Sequence, residues 1–326
     1  MSDAIFHIGL PKTGSTWLQR AAFPALTGLR YVGGAKMKRD YLSGRRVYEA
    51  FWCDPGVWQR EQPQLFRDFA GLAEAGERPP PSVLVSQEKM AAPKVFIPWA
   101  GGERPTPEQF GEHLAGCREQ ALREGFERFR VIAVFRRQDT WYASRYVQSS
   151  NRIVGACQAD FEAAVARITG PEYERFGVYG DFARMRDYLV AAVGRENVLM
   201  LPYELLAEDS QCFVEALLAF LGAGQRASEF VDGNSHQGTA NVRRTAEGQW
   251  QLRAGRHTFE LKPERLRKIL GLPRKIPISR NRNEDAIRLT PELSQRVLAV
   301  YEASNRRLAD ELGMPLERFG YWSEGG

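Results

Sequence analysis

The chain has 326 residues, 43% of them hydrophobic, and its 45 Lys and Arg exceed 40 Asp and Glu to give a net charge of +5. That composition can build a sizeable core in one large or two small domains, and no apolar run approaches the roughly 20 residues that span a bilayer. A first apolar strand beginning by Ala4 leaves no room for a signal peptide, while four scattered cysteines without C-x-x-C and four histidines without H-E-x-x-H predict a reduced, cytoplasmic protein with no metal site.

The first predicted element is a strand over residues 4–8, which runs into Gly9-Leu-Pro11-Lys12-Thr13-Gly14-Ser15-Thr16-Trp17. A strand, a Gly-punctuated turn and a helix start aim successive N–H groups and the positive end of the helix dipole at one point, where an anion of the phosphate type sits. The turn departs from G-x-x-x-x-G-K-[ST], because Ser15 and Thr16 follow Gly14 and the lysine stands at position 12. So displaced, Lys12 lies beside the bridging oxygen of a shorter anhydride than a nucleoside triphosphate, where it can neutralise leaving-group charge without a metal. The plain alternative is a strand-turn-helix with a solvated lysine.

Helical patterning covers residues 59–75, and a strand over residues 82–86 ends in Gln87-Glu88-Lys89. A partly buried glutamate past a strand end suits removal of a proton from an acceptor hydroxyl; a solvated Glu88-Lys89 pair in a turn is the competing reading. Breaker-rich stretches at 77–81 and 98–107 read as surface loops. Aromatic residues in 41–58 and at Phe96 and Trp99 line an acceptor pocket or belong to the core. A helix over 107–124 leads to an apolar strand, 130–135, from which Arg136 emerges as a fork suited to bidentate phosphate binding. Ser144 stands eight residues on, two turns into a helix over 138–151, and can add a hydroxyl from the same side. A structural salt bridge is the rival role for Arg136.

A helix over 182–193, a strand over 197–201 ending near Tyr203-Glu204, and a helix over 212–221 follow. Beyond Leu221 the pattern becomes helical and basic, with Lys and Arg thickening between Arg253 and Arg288 and an amphipathic helix over 291–312. Strands interleaved with helices imply an α/β fold with a central parallel sheet covered on both faces and a helical C-terminal part. The expected organisation is one domain, 1–326, with its α/β core in 1–222 and the basic part, 223–326, packed on it. Ligands of such sheets collect beyond the carboxyl ends of the strands, where Lys12 and Arg136 both fall.

Pro11 to Leu18 fits P-K-[ST]-G-[ST]-[ST]-x-[LW], the 5′-phosphosulfate loop of the sulfotransferases that use 3′-phosphoadenosine-5′-phosphosulfate (PAPS). The strand ending in Arg136, with Ser144 on the next helix, resembles the 3′-phosphate segment of the same family. The resemblance implies a P-loop NTPase-like sulfotransferase fold of the soluble bacterial type, with PAPS as co-substrate, PAP as product and no metal. It assigns Pro11, Lys12, Thr13, Gly14, Ser15 and Thr16 to the 5′-phosphosulfate, Trp17 to the adenine, and Arg136 and Ser144 to the 3′-phosphate. Some carbohydrate sulfotransferases carry a catalytic Glu in a Glu-Lys pair at a strand end, and Glu88-Lys89 is similar. Lys12 and Glu88 are thus the expected catalytic residues, and a carbohydrate or other small alcohol the expected acceptor. Tyr203-Glu204 resembles the family's Y-E-D-L segment, or simply fixes a turn. The family's R-K-G-x-x-G-x-W segment is not recognisable, although Gly238 to Arg244 could form a late loop over the nucleotide. Two rivals stand beside this reading: an atypical P-loop kinase using Mg-ATP, and a non-enzymatic basic nucleotide- or nucleic-acid-binding protein. The absence of a helix-turn-helix, finger or RNP-type signature argues against nucleic acid as partner.

Overall fold

Five strands, β1 (Asp3–His7), β2 (Arg30–Gly33), β3 (Val83–Ser86), β4 (Arg128–Phe135) and β5 (Val198–Pro202), form a sheet ordered β2-β3-β1-β4-β5. Every neighbouring pair is parallel. The computed structural model of the chain describes residues 2–33, 64, 66–67, 70, 81–88, 90–91, 95–96, 106–228, 248–253, 255–260, 275–281 and 285–322.

Successive strand residues point to opposite faces of a sheet, and here both sets are apolar. Phe6, Val85 and Val131 enter one buried cluster, while Ile5, Leu84 and Ile132 enter another. Two clusters mean two covered faces, which is why these strands read as near-continuous apolar runs. The covering helices are α1 (Ser15–Trp17), α2 (Pro107–Arg123), α3 (Gln138–Ser149), α4 (Phe182–Val193), α5 (Tyr203–Glu208), α6 (Ser210–Leu221) and α7 (Pro291–Leu312). Residues of α1 and α6 join the second cluster, and those of α2, α3, α4 and α7 the first.

Local chemistry sets where the helices begin. Thr106 and Gln109 form a reciprocal capping box ahead of α2, with Pro107 in the first turn. Thr290 caps α7, again with Pro in the first turn, and Gly313 at φ 63° ends it. Leu293, Val297, Tyr301 and Leu308 of α7 are buried, so its helical spacing lays one face on the core.

The expected α/β architecture is present, and the four apolar runs identified as strands all enter the sheet. Two features differ from expectation. The edge strand β2, Arg-Tyr-Val-Gly with three half-buried residues and a buried glycine, is too short and polar to signal itself. After Leu221 the chain is helical in α7, but strands β6 (Gln249–Gln251), β7 (Gly255–Glu260), β8 (Lys275–Asn281) and β9 (Ala286–Arg288) intervene, pairing antiparallel as β6 with β9 and β7 with β8. In β6 and β9 only Trp250 and Ile287 are buried, one residue each, so no alternation is long enough to read. Trp250, Leu252 and Ile287 join the same cluster as the sheet residues. The helix expected over 59–75 is helical at its described positions, 64, 66, 67 and 70.

Candidate active site at the strand ends

Four adjacent strands deliver the site. Glu88 lies two residues past β3, β1 runs into the Lys12 loop, Arg136 directly follows β4, and Tyr203 and Glu204 directly follow β5. The loop is tied down through its carbonyls. Thr13 Oγ1 donates to Leu10 O at 2.5 Å, Trp141 Nε1 to Pro11 O at 2.9 Å, and Arg136 Nη1 to Lys12 O at 3.2 Å. Gly14 O accepts the amides of Trp17 and Leu18 at 2.9 and 3.2 Å, which starts the helical run that continues through Ala25. With carbonyls turned to the protein, the amides are left over: those of Thr13, Gly14, Ser15 and Thr16 donate to no acceptor among the described residues. A run of unused N–H groups at a helix start is a concavity for an anion.

Backbone conformation at the loop is specific. Gly14 stands at φ 77° and Lys12, also at 77°, is the non-glycine residue with positive φ among the described residues. An L-residue held there carries a conformational cost that the surrounding hydrogen bonds must offset. Gly9, at φ 53°, has a different reason: a Cβ on it would lie 2.6 Å from Glu88 Cα. The loop therefore touches the turn that carries Glu88, and Ser15 Oγ donates to Glu88 Oε2 at 2.7 Å. Lys89 lies outside the described residues.

Arg136 is buried, 8% exposed. Its Nε donates to Thr140 Oγ1 at 3.1 Å, and its guanidinium carbon lies 5.0 Å from the Tyr203 ring centre and 5.7 Å from that of Trp250. Among the described residues it forms no ion pair, and Nη2 donates to none of them. Burial lowers its pKa, against the opposing field of Glu204. A buried guanidinium with a spare donor and no carboxylate in contact is set up for an anionic ligand. Ser144, also buried, sits one turn beyond Thr140 on the same face of α3.

The sequence-predicted residues thus separate into groups. Lys12, Thr13, Gly14, Ser15, Glu88 and Arg136 are linked through direct bonds, and Pro11 is held by Trp141. Thr16 is exposed at the mouth of the loop. Trp17 is 3% exposed and lies in the cluster of Ile5, Leu18 and Phe23, a packing environment. Phe96 packs edge-on against Tyr142 and Tyr146, within the core. Residues 41–58, Trp99 and 238–244 lie outside the described residues. Thr140 and Trp141 were passed over, though their spacing from Arg136, four and five residues, places them one turn away. Trp250 gave no signal, since a lone tryptophan so far along the chain carries no spacing.

No family model matches the chain, and no curated protein matches it. A solved structure similar to it is that of a sulfotransferase from Alicyclobacillus acidocaldarius, aligned over 98% of each chain at 13% identity with a TM-score of 0.49. A likeness of that size says nothing about reaction or ligand.

Proposed function

We propose that this protein moves a sulfuryl group from PAPS to an acceptor hydroxyl, giving PAP and a sulfate ester. The observation that carries the reading is the convergence of four unused loop amides and a buried, unpaired Arg136 through the bond from Arg136 Nη1 to Lys12 O. One polyanion with two separated anionic groups satisfies both. In this reading the loop from Pro11 to Thr16 holds the 5′-phosphosulfate and Arg136 and Ser144 hold the 3′-phosphate, while Trp17, packed in the core, is not available to the adenine.

The acceptor oxygen attacks sulfur as the bond from sulfur to the bridging oxygen breaks, and the departing phosphate takes the electron pair. Lys12 stabilises the charge that develops there. Glu88 takes the acceptor's proton. Positioning and electrostatics carry the rate, as in other transfers of this kind. The Glu88-Lys89 similarity points to a carbohydrate or other small alcohol as acceptor.

Thermal-shift measurements test the ligand. PAP raises the melting temperature without magnesium under this reading. Stabilisation by Mg-ATP alone supports a kinase, and a salt-sensitive shift with an oligonucleotide alone supports a nucleic-acid binder. Labelled PAPS with a panel of glycans, phenols and lipids then identifies the acceptor; no transfer to any of them, with PAP also silent, removes the proposal.

A further inference from the structure

Glu204 carries a half-buried carboxylate beside this site, and the proposed reaction gives it no task. Oε1 accepts the Arg137 N–H at 3.1 Å, and Oε2 accepts the Tyr321 hydroxyl at 2.9 Å. Those two bonds fix the acid against the backbone next to Arg136, while the ring of its neighbour Tyr203 lies under the guanidinium. Glu204 and Arg136 nevertheless make no ion pair, so the arginine keeps a donor that none of the described residues takes up.

We propose that Glu204 is a positioning residue whose charge tempers Arg136, holding the guanidinium in place in the free protein and keeping affinity for a bound dianion low enough for product to leave. The inference rests on the functional reading above. Two unit charges interact strongly when water is excluded from around them. Burial raises the Glu204 pKa and Arg136 opposes that rise most, while Glu204 is the leading influence opposing the effect of burial on Arg136. A phosphate arriving at Arg136 therefore meets attraction from the guanidinium and repulsion from the carboxylate. Ion-pairing outright would have blocked the site; a charge held one step back weakens binding without occupying the donor.

The sign of this effect separates it from a merely structural role. Glu204→Gln keeps an oxygen for the Arg137 N–H and a partner for Tyr321, but loses the charge. PAP should bind this variant about three- to tenfold more tightly, and kcat should fall through slower release while single-turnover transfer is unchanged. Glu204→Asp, which keeps the charge, should not tighten binding. Equal or weaker PAP binding by a folded Glu204→Gln overturns the proposal. Wild-type protein supplies a second measurement that needs no variant: because coupling is reciprocal, saturating PAP must move the Glu204 carboxyl to a higher pKa by carbon NMR, and no movement overturns it. If PAP binds neither protein, the PAPS reading falls separately, and the same comparison made with inorganic pyrophosphate decides the role of Glu204: tighter binding by Glu204→Gln supports it, and equal or absent binding rejects it.

Discussion

The Ser15 hydroxyl donates to Glu88 Oε2 at 2.7 Å, so the carboxylate proposed as the base is bonded to the loop proposed to hold the sulfuryl donor. Glu88→Gln preserves an acceptor for Ser15 and removes the basicity. Turnover should fall by about a hundredfold or more, with PAP affinity and melting temperature close to wild type. Steady-state rates with labelled PAPS check this, and an unchanged kcat would remove Glu88 from the chemistry.

Gly9 is where the two halves of that relationship come closest, since a Cβ there would sit 2.6 Å from the Glu88 backbone at a positive φ of 53°. Gly9→Ala must push the Glu88 turn away or strain the loop. A loss of about 1–3 kcal/mol is expected by urea unfolding, together with a drop in turnover larger than that of Gly28→Ala. Gly28 also has positive φ but open space around it, so equal effects at the two positions would show that backbone strain alone, and not the approach to Glu88, matters.

How far the sequence speaks differs across the site. The turn from Pro11 to Thr16 was legible as a strand-loop-helix because its residues are contiguous, so its form shows in one window. Arg136 was legible because it follows the apolar run 131–135 that closes the strand Arg128–Phe135. The bond from Arg136 to Lys12 O was not, because it joins positions set side by side only by the pairing of β1 with β4. The same holds for Trp250 over Arg136 and for Tyr321 on Glu204. Strands β6 and β9 stayed hidden because each buries one residue of three and leaves its neighbours partly or fully exposed. Tertiary neighbours decide those elements, and no local period encodes them.

Lys12 combines the charge proposed for the leaving phosphate with a left-handed backbone. Lys12→Ala removes the charge and keeps the cost of positive φ; Lys12→Gly removes both. Both variants should lose turnover, and the glycine variant should be the more stable by about 1 kcal/mol. Differential scanning calorimetry with a transfer assay checks both claims. Wild-type turnover in either variant would contradict the assignment of Lys12 to the leaving phosphate.

Arg136 is buried without an ion pair, so in the free protein its charge is an expense and not a support. Arg136→Ala should therefore weaken PAP binding by about ten- to a hundredfold while costing the unliganded protein less stability than Trp141→Ala. Trp141 is wholly buried and donates to Pro11 O, so its loss opens a cavity and frees the loop. An unchanged PAP dissociation constant in Arg136→Ala rejects its role in holding the nucleotide.

His7 ends β1 beneath the loop, fully buried, with Nδ1 2.7 Å from Ser86 Oγ and its ring edge-on to Phe23. Burial pushes its pKa from the ordinary 6.5 down to about 3. The folded state thus keeps His7 neutral over a range in which the unfolded chain protonates it. Stability from this residue is complete above pH 6.5 and is lost as pH falls from there toward 3, at up to about 1.4 kcal/mol per pH unit for the single proton involved. His7→Asn, which cannot take up that proton, should be less stable near neutrality yet show a flatter decline on acidification. Urea unfolding of both proteins across that interval gives the slopes. Parallel slopes would mean that His7 protonates in the folded state and that the strand end under the Lys12 loop admits water and charge.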